Sequence, residues 1–167
     1  MKKKFIYIGM FFLAILLQMS FLPVVSGEKV FGDVVLMFVL SLAILEGFDS
    51  VFFWIIIGGI FYDLVSYATV GQYVVVFSFV VYMVSFFSRR LSVEIKGMGI
   101  LFLVLFVVVA TFVSDLFFLV MPGFSARPLD LFGQAFGGFR FFFLQIFFNA
   151  VFFFTWFCIV RKLKKIS

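Results

Sequence analysis

Residues 34–66 read VVLMFVLSLAILEGFDSVFFWIIIGGIFYDLVS, two apolar runs split by Glu46, Gly47, Phe48, Asp49 and Ser50. Whether this stretch makes one helix or two sets the orientation of everything after it. Glycine suits the positive φ at which helices often end, and Asp and Ser suit the start of the next helix. The split therefore predicts a tight helix-helix turn, with Gly47 at the exit of one helix and Asp49 and Ser50 at the start of the other. The uncharged parts are short, Val34 to Leu45 and Val51 to Tyr62. Apolar stretches of ~10–14 residues also suit re-entrant or protein-buried segments. Two short spans and a re-entrant hairpin both fit.

The surrounding composition fixes the solvent. Of 167 residues, 66% are hydrophobic and 23% aromatic, with 32 Phe, and mean hydropathy is +1.32. A soluble core cannot bury that much apolar surface, so these residues must face lipid. The expected class is an all-α integral membrane protein, a single transmembrane domain over residues 1–167. Six apolar stretches stand out: Phe5 to Val25, Val34 to Phe48, Val51 to Ser66, Val70 to Phe87, Met98 to Met121 and Phe139 to Val160. All but the second and third comfortably reach the ~18 residues that cross a ~30 Å hydrocarbon core. The many Phe read as bulky lipid-facing filler rather than an aromatic box.

Charge sets the parity. With six spans and the amino terminus inside, the inner side holds Lys2, Lys3, Lys4, Arg89, Arg90, Lys96, Arg161, Lys162, Lys164 and Lys165. The outer side holds only Lys29, Arg127 and Arg140. A ten-to-three split is what the positive-inside bias predicts. One span over residues 34–66 would move Arg89, Arg90 and Lys96 outside and spoil it; a re-entrant hairpin would not. Both termini are therefore expected in the cytoplasm. Lys2–Lys4 followed by an apolar run and Val24-Val25-Ser26 also resembles a signal peptide. That run is longer than the usual ~7–15-residue signal core, so retention is expected. The basic excess belongs to the inner leaflet with its anionic lipid; a pI of 9.5 needs no nucleic acid partner.

Several chemistries lack their residues. There is no His and one Cys, Cys158, so an ordinary zinc or haem site and a Ser-His or Cys-His pair have nothing to build on. Cys158 reads as a small apolar filler. No catalytic, cofactor or metal site is expected.

Polar residues inside apolar helices are the remaining signal, because an ionisable group at mid-membrane costs about 2.5–3.5 kcal/mol on insertion scales. Asp33 stands where it can cap the second helix. Glu46, at a helix C-terminus, opposes the dipole there; pairing with Arg89, Arg90 or Arg161 and snorkelling to water or lipid headgroups both fit. Gly59 and Asp63 are four apart and share a helix face, with Gly58 beside them. Small residues admit a neighbouring helix, and the carboxylate can hydrogen-bond across the contact. Asp115 lies roughly 10 Å inside the outer end of the fifth span, and Arg140 starts the sixth, so an ion pair between them is expected. Gln145 and Asn149 put amides on one face of that sixth helix. Asp33, Asp63, Asp115, Arg140 and Asn149 are thus candidates for an outward-facing polar pocket.

The stretch from Gln18 to Arg90 resembles the rod-shape membrane protein family MreD. Carrying the resemblance are Gln18 and Pro23, Asp33, Gly47, then Gly58-Gly59-Ile60-Phe61-Tyr62-Asp63-Leu64, Gly71 and Arg89-Arg90, with Asn149 further on. The family usually has Pro where this chain has Gly32, and residues 64–70 are more aromatic and polar than is usual for it. Between Leu91 and Phe148 the likeness is one of length and hydropathy. The resemblance implies a non-enzymatic subunit beside an MreC-like partner, joining MreB to the glycosyltransferase RodA and its class B transpeptidase. It also implies a bundle like the S-components of vitamin transporters, which leaves a solute-binding subunit as the alternative. Contact with the partner is expected through the Gly59–Asp63 face or the outer segment Pro122 to Gly138.

Overall fold

In the computed structural model, the described residues are 2–22, 24, 32–65, 71–90, 98–120 and 139–166, apart from the side chains of 2–4, 65, 89, 98, 117–120, 139–141 and 166. Six helices and no strand occur among them. They are α1 (Lys2–Leu16, continued by a π-helical turn, Leu17–Phe21), α2 (Val34–Glu46), α3 (Phe48–Val65), α4 (Gln72–Arg90), α5 (Met98–Val120) and α6 (Phe139–Ile166).

The quoted stretch is two helices. Gly47 breaks it, with φ of 87° and ψ of 160°, a conformation that is essentially glycine's alone. Its N–H closes the end of α2 on the Ala43 carbonyl at 2.9 Å. The next helix begins at Phe48, earlier than the uncharged run suggested, and takes Asp49 into its first turn. There a carboxylate suits the helix dipole. The Phe48 N–H is met by Ser85 Oγ of α4 at 3.1 Å; Asp49 and Ser50 are inside the helix rather than ahead of it.

α2 is the axis of the bundle. Every residue from Val34 to Ala43 is at most 1% exposed, as expected of a helix apolar on every face. It packs most extensively on α6, then on α4, α3 and α1. Its 13 residues make roughly 20 Å at ~1.5 Å per residue.

Contacts at its two ends give the helix directions. Tyr7, near the start of α1, reaches Glu46 at the end of α2. Ser85, near the end of α4, reaches Phe48, and Lys164 near the end of α6 donates to the Leu45 carbonyl. At the other end Gln18 meets Val34, and Asp63 meets Tyr73. Successive helices therefore alternate in direction through α4, and α6 runs parallel to α2. The start of α1 and the end of α6 share one end of the bundle.

Gly99–Leu116 of α5 and Phe142–Lys165 of α6 are long and apolar enough to cross a membrane; Phe5–Phe21, Val34–Glu46 and Gln72–Ser88 are shorter apolar helices. The bundle's outside is apolar too: Phe5, Phe53, Leu64, Leu101, Phe143 and Phe147 are each at least 61% exposed.

Candidate functional site

A helix leaves its first N–H groups without partners inside the helix, and α2 begins where no water is needed to explain their pairing. The Asp33 N–H donates to Asn149 Oδ1 at 2.7 Å, the Val34 N–H to Gln18 Oε1 at 2.7 Å and the Leu36 N–H to Asp33 Oδ1 at 2.9 Å. Asp33 is thus the cap its position predicts, and Gln18 and Asn149 complete the set from α1 and α6. Gln18 also donates to the Gly32 carbonyl at 3.1 Å. It lies in the π-helical turn Leu17–Phe21 and is buried; such a turn alters the helix register locally.

Gly32 has φ of 122°, which proline, locked near −65°, cannot adopt. A Cβ there would meet Asn149 Oδ1 at 3.0 Å.

From Asn149 the network crosses to α5. Its Nδ2 donates to Thr111 Oγ1 at 2.8 Å, and that hydroxyl donates to the Val107 carbonyl at 2.9 Å. One turn along, Gln145 Nε2 donates to Asp115 Oδ1 at 3.1 Å. α5 and α6 are joined by two rungs, set four residues apart on both helices. The other oxygen, Asp115 Oδ2, is buried with no hydrogen-bond partner among the described residues. The Arg140 side chain, and with it the expected Asp115–Arg140 pair, lies outside the described residues.

Asp63 does a related task for α4. Fully buried, it accepts from the Gly71 N–H at 2.7 Å through Oδ2 and from the Tyr73 N–H at 2.8 Å through Oδ1. Gly71, with φ of 98°, makes the turn that aims these donors back at it. The Tyr62 and Tyr73 rings meet edge-on at 4.3 Å between centroids.

The Gly59–Asp63 face is filled from within the chain. A Cβ on Gly59 would meet Val74 Cα and Cγ2 at 2.7 Å, and one on Gly58 would run into the Phe11 ring. The small residues admit α4 and α1, so this face is not free for a partner helix. The other expected contact segment, Pro122 to Gly138, lies outside the described residues.

At the opposite end Glu46 accepts from the Tyr7 hydroxyl at 2.6 Å, rather than from Arg90 or Arg161. The Arg89 side chain lies outside the described residues. Arg90 sits over the Phe86 ring, 4.5 Å from its centroid. Cys158 is exposed on α6.

Asp33, Asn149, Asp115 and Asp63 thus occupy one end of the bundle, in a hydrogen-bonded cluster. Its chemistry is acceptance from backbone N–H groups and amide-to-oxygen pairing. Thr111 in this network, and Tyr7, Ser85 and Lys164 at the opposite end of the bundle, make bonds that sequence reasoning missed. Thr111 and Asp115 carry a signal that was available, the same spacing of four that marks Gln145 and Asn149. No protein-family model, curated protein or solved structure matches the chain.

Proposed function

We propose that this chain is a non-enzymatic, six-span subunit of the bacterial cytoplasmic membrane. In this reading it works in the cell-elongation machinery beside an MreC-like partner, linking MreB to peptidoglycan synthesis by RodA and its class B transpeptidase. The observation that carries the reading is the unit made by Gly59, Asp63 and Gly71. These are the residues with the most specific spacing in the resemblance to MreD. Here one admits Val74, one accepts two N–H groups and one makes the turn between them. The spacing thus has a physical reason as a joint between two helices.

Membrane embedding is supported by the exposed Phe, Leu, Ile and Val on the bundle's outside, far more than a water-soluble surface carries in one patch. The start of α1 and the end of α6 lie at the end of the bundle that carries Arg90, Arg161, Lys162, Lys164 and Lys165. By the positive-inside rule that end faces the cytoplasm.

The test is detergent co-purification from bacterial membranes of the tagged chain with an MreC-like partner. A stoichiometric complex is expected. Because the Gly59–Asp63 face is internal, the contact must use exposed helix faces or the segment 122–138, and deleting 124–136 should weaken it. A second reading, a solute-binding subunit, draws on Asp115 Oδ2, buried and unpartnered among the described residues. If the chain purifies alone and retains a vitamin-sized solute, that reading replaces the first.

A further inference from the structure

Asp115 ends the polar network with one demand unmet. Its Oδ1 accepts from Gln145, while Oδ2 is buried with no hydrogen-bond partner among the described residues. A carboxylate offers about four acceptor sites, and an acid at membrane depth is costly enough to call for a partner. The rungs to α6 run antiparallel, Asn149 to Thr111 and Gln145 to Asp115, so α5 ends beside the start of α6. Asp115 stands roughly 8 Å short of the last residue of α5, Val120, at ~1.5 Å per residue.

The adjoining face of α5 is open. The helix packs chiefly on α4 and α6, while Leu101, Val104 and Leu105 are 66%, 37% and 52% exposed and Val108 is half-buried. Leu101, Val108 and Asp115 fall at a heptad spacing, with Val104 and Leu105 between the first two. That repeat lets one helix lay a continuous seam along another. Asp115, itself half-buried, stands at the end of the seam, on the side that leads round to Thr111 and α6.

We infer that this face of α5 docks one membrane-spanning helix of another protein, with a Lys or Arg of that helix bonded to the Asp115 carboxylate. The seam supplies the apolar contact, and Asp115 fixes the depth at which the basic residue sits. Charge selects the occupant. A second copy of this chain, lying the same way up, would set Asp115 against Asp115 at equal depth. A lipid phosphate is anionic as well. A basic side chain instead lays its apolar stem along the seam and brings its charged end to the carboxylate, where the hydrogen bond is charge-assisted.

The inference rests on the membrane reading above. The test is resonance energy transfer in phosphatidylcholine vesicles between the full chain, labelled at its exposed Cys158, and synthetic membrane-spanning Leu-Ala peptides. The peptides carry one Lys at the depth of Asp115, or a Leu or Glu in its place. The Lys peptide should associate with wild type roughly tenfold more tightly than the Leu peptide, the scale of one charged hydrogen bond. The Glu peptide should be no tighter than the Leu peptide. Asp115→Asn should remove the preference. Leu101→Ala combined with Leu105→Ala should weaken association of the Lys peptide, whereas Leu64→Ala, at an exposed position on α3, should not. Equal association of the Lys and Leu peptides with wild type, or a preference that survives Asp115→Asn, overturns the inference. So does a preference that emerges only in Arg140→Gln, because Arg140 would then already hold Asp115. If carbonate washing strips the chain from the vesicles, the membrane reading itself fails, which is a separate outcome.

Discussion

Asp63 shows how one side chain can join two helices. Asp63→Leu removes the acceptor of two buried N–H groups, each costing roughly 1–3 kcal/mol when left unpaired. We expect a loss of about 2–5 kcal/mol by thermal or SDS unfolding in detergent, with membrane insertion intact because a charge has been removed. Asn149→Leu strips the Asp33 N–H of its acceptor, while the Thr111 hydroxyl loses one donor but keeps its bond to the Val107 carbonyl, so the cost should be smaller, roughly 1–3 kcal/mol. The adjacent glycines separate two kinds of crowding. In Gly59→Ala the new methyl meets Val74 backbone, which cannot yield without moving α4. In Gly58→Ala it meets the end of the Phe11 side chain, which can turn. Gly59→Ala should therefore be the more destabilising, by roughly 1–3 kcal/mol against wild type. Equal effects would contradict the packing described. Asp33 was legible as a cap because capping is a local rule. The partner of Asp63 was not, since periodicity puts Gly59 and Asp63 on one face without saying which helix fills it.

α2 illustrates what an element's surroundings do to its length. Surrounded on all sides, it needs no lipid-matching length, and its two ends are closed by other helices: Gln18 and Asn149 at one, Lys164 at the other. Its backbone amides should be the last to exchange with deuterium, since they open only when the bundle does. Hydrogen-exchange mass spectrometry checks this: peptides covering 34–43 should be protected longest, and faster exchange there than in α5 would count against the central placement. The Gly47 break was legible from glycine chemistry. The start of α3 and the end of α6 were misplaced because charged residues were read as helix limits. Asp49 fits the first turn of α3 by its dipole, and Arg161 to Lys165 continue α6 far enough for Lys164 to reach Leu45. The capping role of Gln18 escaped notice for another reason: a pattern read at 3.6 residues per turn does not foresee a π-helical turn.

At the scale of the molecule, two independent features coincide. The basic residues cluster in particular breaks of the sequence, and the helix directions bring those breaks to one end of the bundle. The polar network is at the other end, where it closes helix starts against one another. The account therefore requires an even number of crossings, with α2 and α3 as separate antiparallel passes. Topology reporters fused at Met1 and Ser167, and inserted within 91–97 and 122–138, test this most directly. The first three should report from the cytoplasm and the last from the outer side; signals from opposite sides for Met1 and Ser167 would contradict the account.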